Sequence, residues 1–156
     1  MTLALHVAER ERGVGPVRLG MSRQELDAAL GAPDRVFRQA YDGVEWDELY
    51  YPNWLNVAAT AGKVSRIGVS RQARGVTFEG VDVFAADPFE VLAQVERAAG
   101  GAHDAGGCIL FLPFGLSMTG FHDGYLDEKS LAIEQPDGWR AIEAELKPIT
   151  FLGGEP

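Results

Sequence analysis

Apolar residues recur along this chain with two different periods, and each change of period marks an element. Leu26, Ala29 and Leu30 fall at helical spacing behind Ser22-Arg23-Gln24-Glu25, where a serine hydroxyl and a glutamate three residues on can cap a helix reciprocally. Met21 and Leu26 stand at the two staple positions, and Gly31 followed by Pro33 ends the run, so a short helix is predicted over about 22–30. Asp87-Pro88-Phe89-Glu90 is a second start signal: a capping carboxylate, then proline at the first helical position and glutamate at the third. Val91, Leu92 and Val95 form its buried stripe, Ala98 and Ala99 extend it, and Gly100-Gly101 closes a helix over about 87–99.

After each helix the period shortens to two. Residues 35–38, 46–51, 55–59 and 63–69 read as an antiparallel meander, with Asp42-Gly43 and Ala61-Gly62 as turns. Val64, Ile67 and Val69 cannot share one face of a regular strand, which calls for a bulge or bend there. Residues 76–84 form a further strand or hairpin. Beyond a loop through Gly107, residues 108–114, 116–121 and 129–134 read as strands, with Asp123-Gly124 as a turn. A terminal helix is predicted over 139–147, ahead of Pro148 and a frayed Gly153-Gly154-Glu155-Pro156 end.

Placing Ser22 on Asp87 brings Glu25 onto Glu90, Leu26 onto Val91 and Leu30 onto Val95, with strand 63–69 near strand 129–134. The expectation is a single domain over 1–156 made of two tandem α-then-β units, about 13–84 and 85–135. Its fold class would be α+β, an antiparallel sheet with short helices packed on one face. Leu26, Leu30, Val91, Leu92 and Val95 would then meet Val57, Ile67, Phe78, Leu110 and Ile133, leaving the opposite sheet face open to water or a partner.

The stretch Gly15-Pro16-Val17-Arg18-Leu19-Gly20-Met21-Ser22-Arg23-Gln24-Glu25-Leu26, closing with Leu30-Gly31-Ala32-Pro33, resembles the opening of BamE (SmpA)-like and β-lactamase-inhibitor-protein-like domains. In those folds a Leu-Gly-Met-Ser/Thr lead, a short helix and a Leu-Gly-x-Pro exit precede an antiparallel sheet. The resemblance implies a non-enzymatic scaffold that binds other proteins through a sheet surface or its loops, such as an immunity-type inhibitor. It names no active site.

Composition narrows the classes further. With 156 residues, 46% hydrophobic and 24% charged, the chain can bury roughly 70% of its unfolded surface without disulfides or a structural metal. The lone Cys108 staples nothing. A formal charge of −9, from 23 acidic and 14 basic residues spread along the chain, disfavours nucleic-acid binding and would steer a basic protein partner toward it. The alternative is a surface that only keeps the protein soluble. The first residues lack a basic region and a long apolar run, and no window approaches the roughly 20 apolar residues of a membrane span. A cytoplasmic protein without membrane contact is expected.

No Gly-x-Ser-x-Gly, phosphate loop or dinucleotide fingerprint is present, so neither an enzyme nor a cofactor is expected. The candidates for metal or acid–base chemistry are His103-Asp104, Cys108 and His122-Asp123, which lack a Cys-x-x-Cys or His-x-x-x-His ladder. Cys108 opens the apolar run Cys108-Ile109-Leu110-Phe111-Leu112 and reads as buried and inert. The candidate protein-binding residues are Tyr41, Glu45, Trp46, Asp47, Glu48, Tyr50 and Trp54, which mix aromatic anchors with negative charge. The bland alternative puts the aromatics in the core with Asp47 and Glu48 solvated. A protein-binding module is therefore the first expectation, and a small-ligand or metal-binding domain around His103 and His122 the second.

Overall fold

The computed structural model describes residues 2–153, and both predicted capping residues open its main helices. Residues 154–156 of the expected frayed end lie outside the described residues. The chain begins with β1 (Leu3–His6), followed by the small hairpin β2 (Gly13–Val14) and β3 (Val17–Arg18), then α1 (Arg23–Leu30). The first long meander is β4 (Arg35–Tyr41), β5 (Val44–Tyr51), β6 (Leu55–Thr60) and β7 (Lys63–Ser70). A second small hairpin, β8 (Val76–Phe78) and β9 (Val81–Asp82), leads to α2 (Pro88–Ala99). Then come β10 (Ala102–Asp104), β11 (Cys108–Phe111), β12 (Leu116–Thr119), β13 (Ser130–Glu134), the single turn α3 (Asp137–Arg140) and β14 (Lys147–Ile149).

Local chemistry accounts for both starts. At α1 the Ser22 hydroxyl accepts the Glu25 N–H at 3.1 Å while the Glu25 carboxylate accepts the Ser22 N–H at 3.0 Å. At α2 the Asp87 carboxylate accepts the Glu90 N–H at 3.1 Å, and Gly100 leaves the helix in the left-handed region at φ 84°.

The strands form a nine-stranded sheet, order β14-β10-β11-β12-β13-β7-β6-β5-β4, and a five-stranded sheet, order β3-β2-β1-β8-β9. Within them only β1 and β8 run parallel. Strands β4 to β7 and β10 to β13 join edge to edge through the β13–β7 pairing. Across that join Leu49, Val57, Ile67, Ile133 and Leu116 line up on one face of the large sheet, each buried. They share a single hydrophobic core with Leu3, Leu5, Val14, Val17, Val76 and Phe78 of the small sheet, with Leu26 of α1, and with Val91, Leu92 and Val95 of α2.

The expected α+β class, with helices forming the layer over one sheet face, is overturned. The fold is β-rich: 41% of residues lie in strands against 21% in helices. Among the described residues the three α-helices have only 8, 12 and 4 residues. A second sheet supplies much of the cover assigned to helices. Its strands are two to four residues long, too short for a period to declare itself, and β1 finds its parallel partner β8 only across the whole first meander. Gly13 and Gly15 belong to a tight hairpin, in which a side chain at Gly13 would run into the Val17 carbonyl.

Two smaller differences follow the same logic. The terminal helix expected over 139–147 is only the turn α3, a 3₁₀ turn at Glu143–Glu145, and then β14. Trp139, Ile142 and Leu146 stand at helical spacing, but none of them is buried, and the last residues of the segment take backbone partners on β10 instead. The bulge required by Val64, Ile67 and Val69 is present as a register shift at Ala58/Ala59, and all three side chains are buried.

Candidate functional site

Asp42 and Gly43 adopt φ of 50° and 80°, the two positive values of a hairpin turn that matches strand twist. The turn sets a seven-pair register from Arg35↔Tyr50 to Tyr41↔Val44. Strand β6 pairs only with Asp47 to Tyr51 of β5, so the end of the hairpin runs on without a third strand. The three residues Val44 to Trp46 carry it about 10 Å past the sheet.

With a side-chain period of two, the register sorts the hairpin into unlike faces. Arg35, Phe37, Gln39, Tyr41, Val44, Trp46, Glu48 and Tyr50 share one face; Val36, Arg38, Ala40, Glu45, Asp47 and Leu49 share the other. On the first, Phe37 meets Tyr50 edge to face at 5.7 Å, and the Arg35 guanidinium lies over both rings at 5.8 and 5.6 Å. The Trp46 indole N–H donates to the Glu48 carboxylate at 2.7 Å. On the second, Arg38 donates to Glu45 at 3.2 Å and to Asp47 at 3.1 Å.

The aromatic face continues onto the side of the large sheet that points away from the core. There Trp46, Tyr50, Trp54, Asn56, Arg66 and Gly68 are among the residues lining a groove of about 730 Å³. Gly68 keeps the floor low: a Cβ there would stand 3.5 Å from the Arg66 guanidinium and 3.9 Å from the Asn56 amide oxygen. Arg35 and Arg66 have no salt-bridge partner among the described residues. Trp54, 59% exposed, stands on the rim at φ 60°, a conformation that is unfavourable for a bulky side chain. Its turn is held by Asn53, whose amide donates to the Arg74 carbonyl at 2.9 Å and accepts the Arg74 N–H at 2.8 Å.

The seven predicted binding residues therefore divide. Tyr41, Trp46, Glu48, Tyr50 and Trp54 belong to the aromatic face and groove rim, whereas Glu45 and Asp47 point to the other face and are held by Arg38. Asp47 and Glu48 do not form one acidic patch, because neighbours on a strand face opposite ways. Phe37, Arg35, Arg66 and Asn56 were missed. Only Phe37 carried a readable signal, as the aromatic residue of the predicted strand 35–38.

In the second candidate group the two aspartates hold local turns. His103 and Asp104 lie on β10, where the Asp104 carboxylate accepts the Gly106 N–H at 3.0 Å. His122 and Asp123 follow β12, and Asp123 accepts the Tyr125 N–H at 3.1 Å. Among the described residues no three His, Cys, Asp or Glu side chains converge as metal ligands would. Burial, then the charges of Asp104 and Glu134, push the Cys108 thiol above its usual range, which keeps it protonated and a poor nucleophile.

Three buried charged residues also escaped the sequence. Arg12 donates to the Pro113 carbonyl at 2.8 Å and to Gln135 at 3.1 Å; Lys129 donates to the Phe84 carbonyl at 2.7 Å. Glu96 accepts the Phe151 N–H at 2.6 Å and the Thr150 hydroxyl at 2.7 Å. Each fastens one chain segment to another. Among the described residues no helix is long and apolar enough to cross a membrane. No protein-family model, curated protein or solved structure matches the chain.

Proposed function

We propose that this chain is a non-enzymatic protein-binding module acting in the cytoplasm, with an immunity-type inhibitor of a basic partner as its most concrete form. One observation carries the reading. Of the eight large apolar residues exposed among the described residues, five (Val36, Phe37, Tyr41, Val44 and Trp54) lie on the β4–β5 hairpin or the turn after it, and all but Val36 stand on the aromatic face or the groove rim. Apolar groups gathered in one exposed place mark a contact site, and tyrosine and tryptophan are the side chains that anchor such contacts. The groove behind them offers a concave seat with polar groups on its floor. The net charge of −9 favours a basic partner, attracted at long range. Because Arg38 already compensates Glu45 and Asp47, the local carboxylates facing a partner are Glu48 and Asp34 at the groove. Kinship with BamE-like or β-lactamase-inhibitor-like scaffolds belongs to the same proposal.

The test compares the wild-type chain with a Tyr41→Ser/Trp46→Ser double variant, each immobilised and exposed to a lysate of the producing cells. Unchanged circular dichroism would establish that the variant is folded. A basic protein held by the wild type should be lost from the variant. Remeasured pure, its affinity should fall by about tenfold or more with the loss of the two anchors, and weaken with salt. Retention indifferent to the double variant would remove the hairpin face from the proposal.

A further inference from the structure

The two edges of the nine-stranded sheet are built differently. At one, β14 reads Lys147-Pro148-Ile149: proline offers no N–H and an exposed lysine repels a further strand, both devices that block edge pairing. At the other, β4 reads Arg35-Val36-Phe37-Arg38-Gln39-Ala40-Tyr41, seven exposed residues with neither proline nor glycine and no register shift. Apart from the charges of Arg35 and Arg38, nothing on β4 blocks the addition of a strand.

The phase of its hydrogen bonds follows from the turn. A two-residue hairpin turn makes Tyr41↔Val44 a hydrogen-bonded pair, so Gln39, Phe37 and Arg35 also bond inward to β5. The Tyr50 carbonyl keeps this phase: it points toward β4 and accepts the Asp34 N–H at 2.7 Å. Val36, Arg38 and Ala40 therefore present their N–H and C=O groups outward.

We propose that β4 pairs antiparallel with β4 of a second copy of this chain, about a twofold axis at Arg38. This goes beyond partner binding, since it uses the outer edge of the hairpin: of the partner-binding residues on the face it covers Tyr41 and leaves Trp46, Glu48, Tyr50 and Trp54 free. Centred on Arg38, the register sets Val36 against Ala40 of the second copy and Arg38 against Arg38, so all three outward residues bond in both directions. A register shifted by two residues leaves Ala40 outside that set. The side chains agree with the first choice. Arg35 falls opposite Tyr41 of the second copy, the most exposed of the large apolar side chains at 77%, where a guanidinium can cover the ring. Val36 and Ala40 meet as an apolar pair. Two arginines face each other at the axis, which is ordinarily repulsive, but each is already compensated by Glu45 and Asp47 at 3.2 and 3.1 Å. The twofold axis stands normal to the sheet, so both open faces point the same way and the two rows of Phe37, Tyr41, Trp46 and Tyr50 become one band. A ladder of this length buries on the order of 1,000 Å² in total, the low end for a specific interface, and a micromolar dimer is expected.

Sedimentation of the full chain over a roughly hundredfold concentration range around micromolar should show the mass double. Amide exchange measured across the same range should slow at Val36, Arg38 and Ala40 and stay constant at Phe37 and Gln39, whose N–H groups are already bonded to β5. Ala40→Pro removes one outward donor from each copy without touching the β5 ladder, and it should weaken the dimer at least tenfold while the captured partner is retained. That last readout separates failure of this proposal from failure of the partner reading. A chain that stays monomeric throughout overturns it. So does a dimer whose exchange shows no alternation along β4, a wild-type measurement that does not depend on how the proline variant folds.

Discussion

The strands that follow the two capped helices share a local plan and meet opposite fates. Strand β11 buries Ile109, Leu110 and Phe111, whereas all seven residues of β4 are exposed. The helices differ in the same direction, since α2 buries five residues and α1 only Leu26. The C-terminal tail adds cover on the α2 side, where Glu96 fastens Thr150 and Phe151 and the Phe151 ring lies 6.2 Å from Phe89. Among the described residues no third strand reaches the hairpin end. The difference teaches that a continuous apolar run and a mixed one can both make a strand, while burial depends on what the rest of the chain lays over it. The same physics separates a packing element from a contact element.

The strongest way to break this comparison is to truncate one large side chain on each side of it. Leu92→Ala should cost about 3–4 kcal/mol by denaturant unfolding, because it empties part of a closed core. Phe37→Ala should stay within about 0.5–1 kcal/mol, losing only an exposed aromatic contact. Equal losses would mean that the hairpin is part of the core after all. Next in size is Glu96→Ala, which strips the acceptor from the Phe151 N–H and the Thr150 hydroxyl. A loss of about 2 kcal/mol is expected, with faster proteolysis confined to the C-terminal tail.

The caps sharpen the contrast between the helices. Ser22→Ala and Asp87→Ala should each cost about 1 kcal/mol, but amide exchange should rise chiefly in α1, which has little packing to hold it. A smaller effect of opposite sign is expected from Trp54→Asn. Asparagine tolerates the left-handed region better than tryptophan, so thermal stability should rise slightly, by less than about 1 kcal/mol, while partner affinity falls. The smallest effect belongs to the covering sheet. Burial, and then the nearby Arg18 charge, hold the His6 pKa below its ordinary 6.5. The unfolded chain therefore binds that proton more tightly, and stability present above pH 6.5 should decline as the pH falls through and below it. His6→Asn should flatten that part of the profile.

Much of this was legible residue by residue. Ser22 and Asp87 declare their helices because a capping side chain acts on N–H groups two or three residues away. Asp42-Gly43 declares its turn because few residues accept two consecutive positive φ values. The conflict among Val64, Ile67 and Val69 declares its bulge because a strand offers only two faces. The aromatic stretch around Trp46 was visible for its composition, but its division into two faces needed the register. Arg12, Glu96 and Lys129 gave no signal, since their partners are backbone carbonyls, an amide N–H and side chains far along the chain.

What the sequence determined by itself was local: where helices start and stop, where strands alternate, and which residues are too apolar to remain in water without consequence. The tertiary structure alone decided that β1 would seek β8 in parallel, that the resulting second sheet would supply much of the core's cover, and that β4 would be left at an unblocked edge. Caps, turns and periods arise between neighbours, whose separation the chain itself dictates. Long-range pairing depends on which of several similar apolar surfaces excludes the most water when the whole chain closes, and no short window of sequence contains that competition.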